Sequence, residues 1–179
     1  MKTYISMLRG INVGKHKMIK MDELKDLYRS FNFKDIKTYV QSGNVIFRYQ
    51  NAPQSELAAK IQNKIKETFG FDVSVIIRTK GEFKKIIFDN PFKNEDTGKL
   101  HVTFLPNIPD KKFINEMKTV KDESEKFYIS LKEIYLFLPD GYGRTKFNNN
   151  FFEKKLKLDA TTRNWKTVNK LLEIAKEIE

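Results

Sequence analysis

The chain alternates between short apolar runs and stretches in which apolar residues recur every three to four positions, and this order predicts its elements. Thr3 to Leu8, rich in β-branched and aromatic residues and bounded by Gly10, predicts a strand. After the loop Arg9-Gly10-Ile11-Asn12-Val13-Gly14-Lys15, residues Met21, Leu24, Leu27, Tyr28 and Phe31 fall on one helical face. Asp22 and Glu23 suit the positive end of that helix's dipole. Ile36 to Gln41 and Val45 to Tyr49 predict two strands flanking Ser42-Gly43-Asn44, a turn whose glycine can take positive φ. Leu57, Ile61, Ile65 and Phe69 step through a second helix that Gly70 stops, and Val73 to Ile77 predicts a fourth strand. Thr79 and Glu82 then stand at capping-box spacing before a short helix with Phe83, Ile86 and Ile87, ended by Asn90-Pro91.

The same order returns. His101 to Leu105 predicts a strand, Asp110 caps a helix carrying Phe113, Met117 and Val120, and Lys126 to Leu131 with Ile134 to Leu138 predicts a hairpin. The loop Asp140-Gly141-Tyr142-Gly143-Arg144 leads to a helix capped by Thr145 and bearing Phe147, Phe151 and Phe152. Leu158 to Thr161 is a brief extended piece, and Trp165, Val168, Leu171, Leu172, Ala175 and Ile178 form one face of a last helix, capped by Thr161 or Thr162. The fold class expected is α+β: two tandem ferredoxin-like βαββαβ halves, residues 1–92 and 100–179, with antiparallel sheets, a short helix and a C-terminal helix. The repeat is one of element order, with no residue identities between the halves. In this topology the first two strands of a half run in the same direction, so Arg9 to Lys15 is expected beside Ser42-Gly43-Asn44. At the opposite edge of the second half, Gly141 to Lys146 is expected beside Thr161-Thr162-Arg163.

Composition narrows the classes. With 13% aromatic residues, 15 of them Phe, the chain has the means to build a packed core, which sets it apart from disordered sequences. The absence of cysteine excludes disulfides, thiolate metal sites and a cysteine nucleophile. No apolar run reaches the ~20 residues of a membrane helix and no leader is apparent, so no membrane association is expected and the cytoplasm is the simplest location. Charge adds the most. The net +11 lies wholly in two segments: residues 1–20 carry five cations and no acid, and residues 144–170 carry eight cations against Glu153 and Asp159. A localised positive field attracts nucleic acid, phosphorylated metabolites or acidic proteins, and it also serves solubility.

Three separated motifs resemble the domain of unknown function 1697 family: Leu8-Arg9-Gly10-Ile11-Asn12-Val13-Gly14, then Thr38-Tyr39-Val40-Gln41-Ser42-Gly43-Asn44-Val45-Ile46-Phe47, then Ala160-Thr161-Thr162-Arg163-Asn164-Trp165-Lys166-Thr167-Val168. Gly143-Arg144-Thr145-Lys146 also fits, and the resemblance spans essentially the whole chain. It implies a bacterial or archaeal protein with a two-lobed α+β fold of ferredoxin-like topology, and no established activity. Lys15 stands where a second glycine is common in that family, which makes the loop stiffer and more positive.

The candidate ligand-binding residues are therefore Arg9, Asn12, Lys15, Asn44, Arg144, Lys146, Arg163, Asn164 and Lys166, with the cations holding phosphates and the asparagines adding hydrogen bonds. The first loop is not a Walker loop, since three residues separate Gly10 from Gly14 and His16 follows Lys15; nor is it a dinucleotide fingerprint. Arg9 and Asn44 occupy places comparable to the phosphate ligands of acylphosphatases by fold analogy alone, which keeps an enzyme acting on a phosphorylated or acyl-phosphate substrate as an alternative. Gly43-Asn44-Val45-Ile46-Phe47 lacks the basic-Gly-aromatic opening of an RNA-recognition strand. His16 and His101 have no metal-ligand spacing, and no metal or cofactor is expected. The long last helix leaves a protein-interaction module as a third reading. Ligand binding by an anion, nucleic acid or phosphorylated small molecule, is the leading expectation.

Overall fold

The structure, a computed structural model, describes residues 1–179. It is α+β, with two four-stranded antiparallel sheets and six α-helices. Contacts divide the chain into a first unit, Met1–Lys85 with Lys170–Glu179, and a second, Ile86–Asn169. No helix is long and apolar enough to cross a membrane.

The first unit runs β1 (Lys2–Leu8), α1 (Met21–Arg29), β2 (Lys34–Tyr39), β3 (Asn44–Tyr49), α2 (Gln54–Phe69), β4 (Val75–Thr79) and the start of α3 (Lys80–Phe88). Its strand order is β2-β3-β1-β4. One sheet face meets α1 and α2 in a core that includes Tyr4, Leu8, Leu24, Tyr28, Phe47 and Ile61. Phe47 stacks on Tyr4 at 5.5 Å and on Phe33 at 4.3 Å. Burying each such side chain contributes roughly 1.5–3 kcal/mol. The Tyr28 hydroxyl meets Ser6 Oγ at 2.6 Å, so these two buried hydroxyls satisfy each other, and burial pushes the phenol well above its usual range. β1 buries six successive residues, Thr3 to Leu8, so both faces of this central strand are shielded from water. Gly70, at φ +80, ends α2 as its left-handed C-cap. The capping box at the head of α3 is reciprocal: Glu82 N–H donates to Thr79 Oγ1 while Thr79 N–H donates to the Glu82 carboxylate.

The second unit runs from the end of α3 through β5 (Leu100–Phe104), α4 (Lys111–Met117), β6 (Lys126–Ser130), β7 (Glu133–Phe137), α5 (Asn149–Leu156), β8 (Thr161–Asn164) and the start of α6 (Trp165–Glu177). Its strand order, β6-β7-β5-β8, repeats that of the first unit. Leu105, Ile134, Leu136, Phe147 and Phe152 form its core with α5. Asp110 caps α4 by accepting from Lys112 N–H. Two caps differ from expectation. Asn148, not Thr145, caps α5 by accepting from Phe151 N–H, while Thr145 Oγ1 donates to Glu125 and accepts from Phe147 N–H. Asn164, the last residue of β8 and the one directly before α6, caps that helix by accepting from Thr167 N–H, while Thr161 and Thr162 lie further back in β8, where Thr162 Oγ1 sits 2.7 Å from Thr103 Oγ1.

Strand register reveals a repetition finer than element order. Ile5 stands opposite Arg78 as Val102 stands opposite Arg163. Both arginines are buried, at 1% and 8% exposure. Each donates from Nη1 to the carbonyl of the preceding residue at 3.0 Å. At the far end of the same strands, Leu8 N–H donates to Gly43 O and Leu105 N–H to Lys132 O, both at 2.9 Å. The halves thus share strand order, the register of a buried arginine and the hairpin bond where their sequences show no identity run.

Candidate functional site

The basic loop between β1 and α1 is built on that frame. Arg9, half-buried at its base, donates its main-chain N–H to Ser74 O. Asn12 then takes a left-handed conformation, φ +53, a region where asparagine is tolerated better than most residues. Its side chain ties the loop together. Oδ1 accepts from Ile19 N–H at 2.8 Å, and Nδ2 donates to Ile19 O at 2.9 Å and to Gln41 O at 2.8 Å. One residue therefore joins both ends of the loop to the turn between β2 and β3. Val13 and His16 pair as an isolated bridge around Gly14, and Lys17 Nζ donates to Asp72 O.

The turn approaches so closely that a Cβ on Gly43, itself at φ +77, would lie 2.7 Å from Leu8 Cβ and 2.8 Å from Ile11 Cδ1. Val40 holds φ +50 in the same turn, a strained conformation for a β-branched residue, which the surrounding bonds must impose. The loop tip faces water: Lys15, His16 and Lys20 are exposed, as are the apolar Val13 and Met18 at 65% and 58%. Lys15 and Lys20 make no ion pair, and no acid occurs before Asp22.

Asn44 opens β3 nearby but is fully buried, and its Nδ2 donates to Tyr39 O and Ser42 Oγ. The amide donors of Asn12 and Asn44 are thus both turned inward, where they shape the loop and the turn.

In the second unit the basic residues are arranged differently. β7 and β8 end where β5 begins, and Leu138 N–H donates to Lys99 O at that edge. The one-turn 3-10 helix Tyr142–Arg144 follows β7. Tyr142 stacks on His101 at 5.5 Å and accepts from Asn149 N–H, which brings this loop to the His101–Asn164 pair of the sheet. Burial pushes the His101 imidazole below its usual value, and its Nδ1 is buried without a partner. Arg144 and Lys166 are exposed and make no ion pair. Lys146, by contrast, pairs with Asp122 at 2.8 Å and reaches Lys121 O. Arg163 donates to Thr161 Oγ1 and Thr162 O inside the unit; burial lowers its guanidinium to about 10, so it stays charged at neutral pH.

The nine candidates therefore separate. Arg9, Asn12, Lys15 and Asn44 gather at one edge of the first sheet, and Arg144, Arg163, Asn164 and Lys166 at one edge of the second, with Lys146 drawn away by Asp122. Sequence reasoning missed the exposed Val13 and Met18 and the cation Lys20. The trace they leave is an apolar residue beside lysine in a stretch without helical or strand period.

Comparison with known proteins adds a family and a fold. The family described as "Protein of unknown function (DUF1697)" matches residues 1–135. A solved structure, conserved bacterial protein SP0830 from Streptococcus pneumoniae, superposes with a TM-score of 0.76 at 21% identity, covering 97% of this chain and 98% of that one. No curated protein matches the chain.

Proposed function

We propose that this chain, which belongs to the DUF1697 family of proteins of unknown function, binds nucleic acid through the basic loop between β1 and α1. The frame is read as two ferredoxin-like βαββαβ units in tandem, a reading supported by the strand order β2-β3-β1-β4 and its repeat β6-β7-β5-β8. The observation that carries the function is the loop itself: an acid-free cationic segment, exposed at its tip and held in one shape by the Asn12 side chain. Preorganised cations lose little freedom on meeting phosphates, and each contact releases counterions.

An extended polyanion fits better than a small phosphorylated molecule. A small phosphate needs donors converging on one point, whereas Lys15 and Lys20 face outward and the Asn12 and Asn44 amides are engaged by main-chain carbonyls and Ser42. The same engagement leaves the acyl-phosphate alternative without its asparagine. Val13 and Met18 supply apolar contact beside the phosphates. Binding of this kind is governed by phosphate contacts and carries little base specificity.

The test is fluorescence anisotropy with labelled single-stranded and duplex oligonucleotides at rising salt. The expected result is binding that weakens steeply with salt, with the Lys15→Ala/Lys20→Ala protein showing a log–log slope smaller by roughly 2. Binding unchanged in that variant but abolished by Arg144→Ala/Lys166→Ala would move the site to the second unit. Competition by inorganic phosphate as effective as that by oligonucleotide, at equal phosphate content, would favour a small ligand.

A further inference from the structure

The second unit carries a hollow that the residues of the β1–α1 loop do not line. It lies between α4, the turn that follows it and β6, and has a volume of about 500 Å³, within the range of small-molecule sites. Phe92, Ile114, Met117, Val120, Phe127 and Ile129 line it. Val120, Phe127 and Ile129 pack one side against the unit's core and remain only partly buried, so their other sides present apolar surface to the groove. β6 is the outermost strand of its sheet, so no further strand covers that flank.

The ionisable residues around the groove are unevenly paired. Asp122 is neutralised by Lys146 at 2.8 Å, Glu125 accepts from the Thr145 hydroxyl at 2.9 Å, and Lys126 pairs with Glu95 at 2.7 Å. Lys118 and Lys121 are exposed and have no ion-pair partner. At the mouth, Glu125 is the one lining carboxylate with no cation beside it, against two cations without an acid, so the unpaired charge is net positive. Charge complementarity therefore selects the occupant.

We infer that this groove binds a small amphipathic anion, one with an apolar chain or ring that fills the space above Val120, Phe127 and Ile129 and a carboxylate held by Lys118 and Lys121. Burial of the chain supplies affinity and the two ammonium groups supply discrimination against neutral analogues. The inference stands apart from the nucleic-acid reading, since it uses none of the loop's residues.

Isothermal titration of the full chain with decanoate and with decan-1-ol tests it. Decanoate should bind saturably at one site, with decan-1-ol about tenfold weaker, and Lys118→Ala/Lys121→Ala should reduce the preference for decanoate by about tenfold. Both lysines are exposed, so that variant keeps its fold. Ile129→Trp, which fills the groove, should abolish binding, with its thermal melt and near-ultraviolet circular dichroism checking that it folds; Val120→Trp serves if it does not. Lys15→Ala/Lys20→Ala should bind decanoate like the parent protein. Equal affinity for decanoate and decan-1-ol, or no saturable binding of either, would overturn the inference. Concentration-dependent self-association in sedimentation that Lys118→Ala/Lys121→Ala leaves intact and Val120→Trp removes would also overturn it, by giving the groove to a second copy of the chain.

Discussion

β1 and β5 hold equivalent positions in their sheets, and at the C-terminal end of each a leucine N–H, Leu8 or Leu105, donates to a carbonyl in the turn of the neighbouring hairpin, Gly43 in one unit and Lys132 in the other. Beyond that shared bond the chains diverge. After Leu8 comes a loop with four residues at positive φ, held by Asn12 and studded with lysines. After Leu105 comes Pro106-Asn107-Ile108-Pro109, and Asp110 starts a helix at once. The hairpin turns differ to match: four residues lie between the paired Tyr39 and Asn44, and two between Ser130 and Glu133. The frame is duplicated while the loops are not, so features common to both halves are read as architecture and features confined to one as function.

The largest effect should come from the shared arginines. Arg78→Ala removes a large buried side chain and leaves the Ile77 carbonyl without its donor, a loss of about 3–5 kcal/mol. Arg163→Ala should cost a similar amount. Urea denaturation measures both. A severe loss at one position and a negligible one at the other would mean that the common register does not reflect a common role.

Next comes the turn. Gly43→Ala would place a methyl group into Leu8 and Ile11 at positive φ, so it should cost about 2–4 kcal/mol. Lys132→Ala, at the equivalent carbonyl in the second unit, already has a Cβ in place and should cost no more than about 1 kcal/mol. The contrast arises because the first unit folds its loop back over the turn and the second does not. Equal losses would show that the loop does not press on Gly43.

Asn12→Ala should be milder for stability and sharper for function. It breaks three hydrogen bonds, to the Ile19 N–H, the Ile19 carbonyl and the Gln41 carbonyl, at a site only partly buried, so a loss of about 1–2 kcal/mol is expected. Oligonucleotide affinity should fall several-fold although no cation is removed, because an untethered loop must be ordered on binding. Unchanged affinity would mean that the lysines act as a diffuse charge cloud with no defined shape.

How far the sequence foretold all this depends on the distance over which each signal acts. The first seven strands, the Thr79–Glu82 capping box, the Asp110 cap and the Gly70 stop were legible because each depends on neighbours within a few residues, whereas the last strand, expected over Leu158 to Thr161, lies at Thr161–Asn164. The caps of α5 and α6 were misplaced because polar residues compete in a row: Thr145 and Asn148 both precede α5, and Thr161 to Asn164 offers four polar residues ahead of α6, of which only Asn164 stands directly before the helix. Arg78 reads as the polar end of an apolar run, and only the pairing of β1 with β4 shows that it repeats at Arg163. The candidate site divides the same way. That charge gathers on loops was visible in composition, whereas the partners of Asn12 and Lys146 come from Gln41 and Asp122, which are distant in sequence.

The smallest effect concerns that last pair and bears on whether the second unit has a free cationic loop of its own. The Lys146 ammonium, and after it the N–H groups of Glu125 and Ser124, hold the Asp122 carboxyl below the usual carboxylate range. A carboxyl with a depressed folded-state pKa adds stability above its unfolded value, near pH 4, and loses that contribution as pH falls through the folded value. Both groups are solvent-accessible, so the change in overall stability should be slight. The direct observable is the Asp122 carboxylate carbon shift followed by NMR against pH. Lys146→Ala should raise its midpoint only part of the way to the usual range, since the two N–H donors remain, whereas Lys15→Ala should leave every carboxylate where it was. An Asp122 midpoint indifferent to Lys146→Ala would make Lys146 as available as Lys15. The basic loop of the second unit would then be a second anion site, and the difference between the halves would shrink to one of loop length.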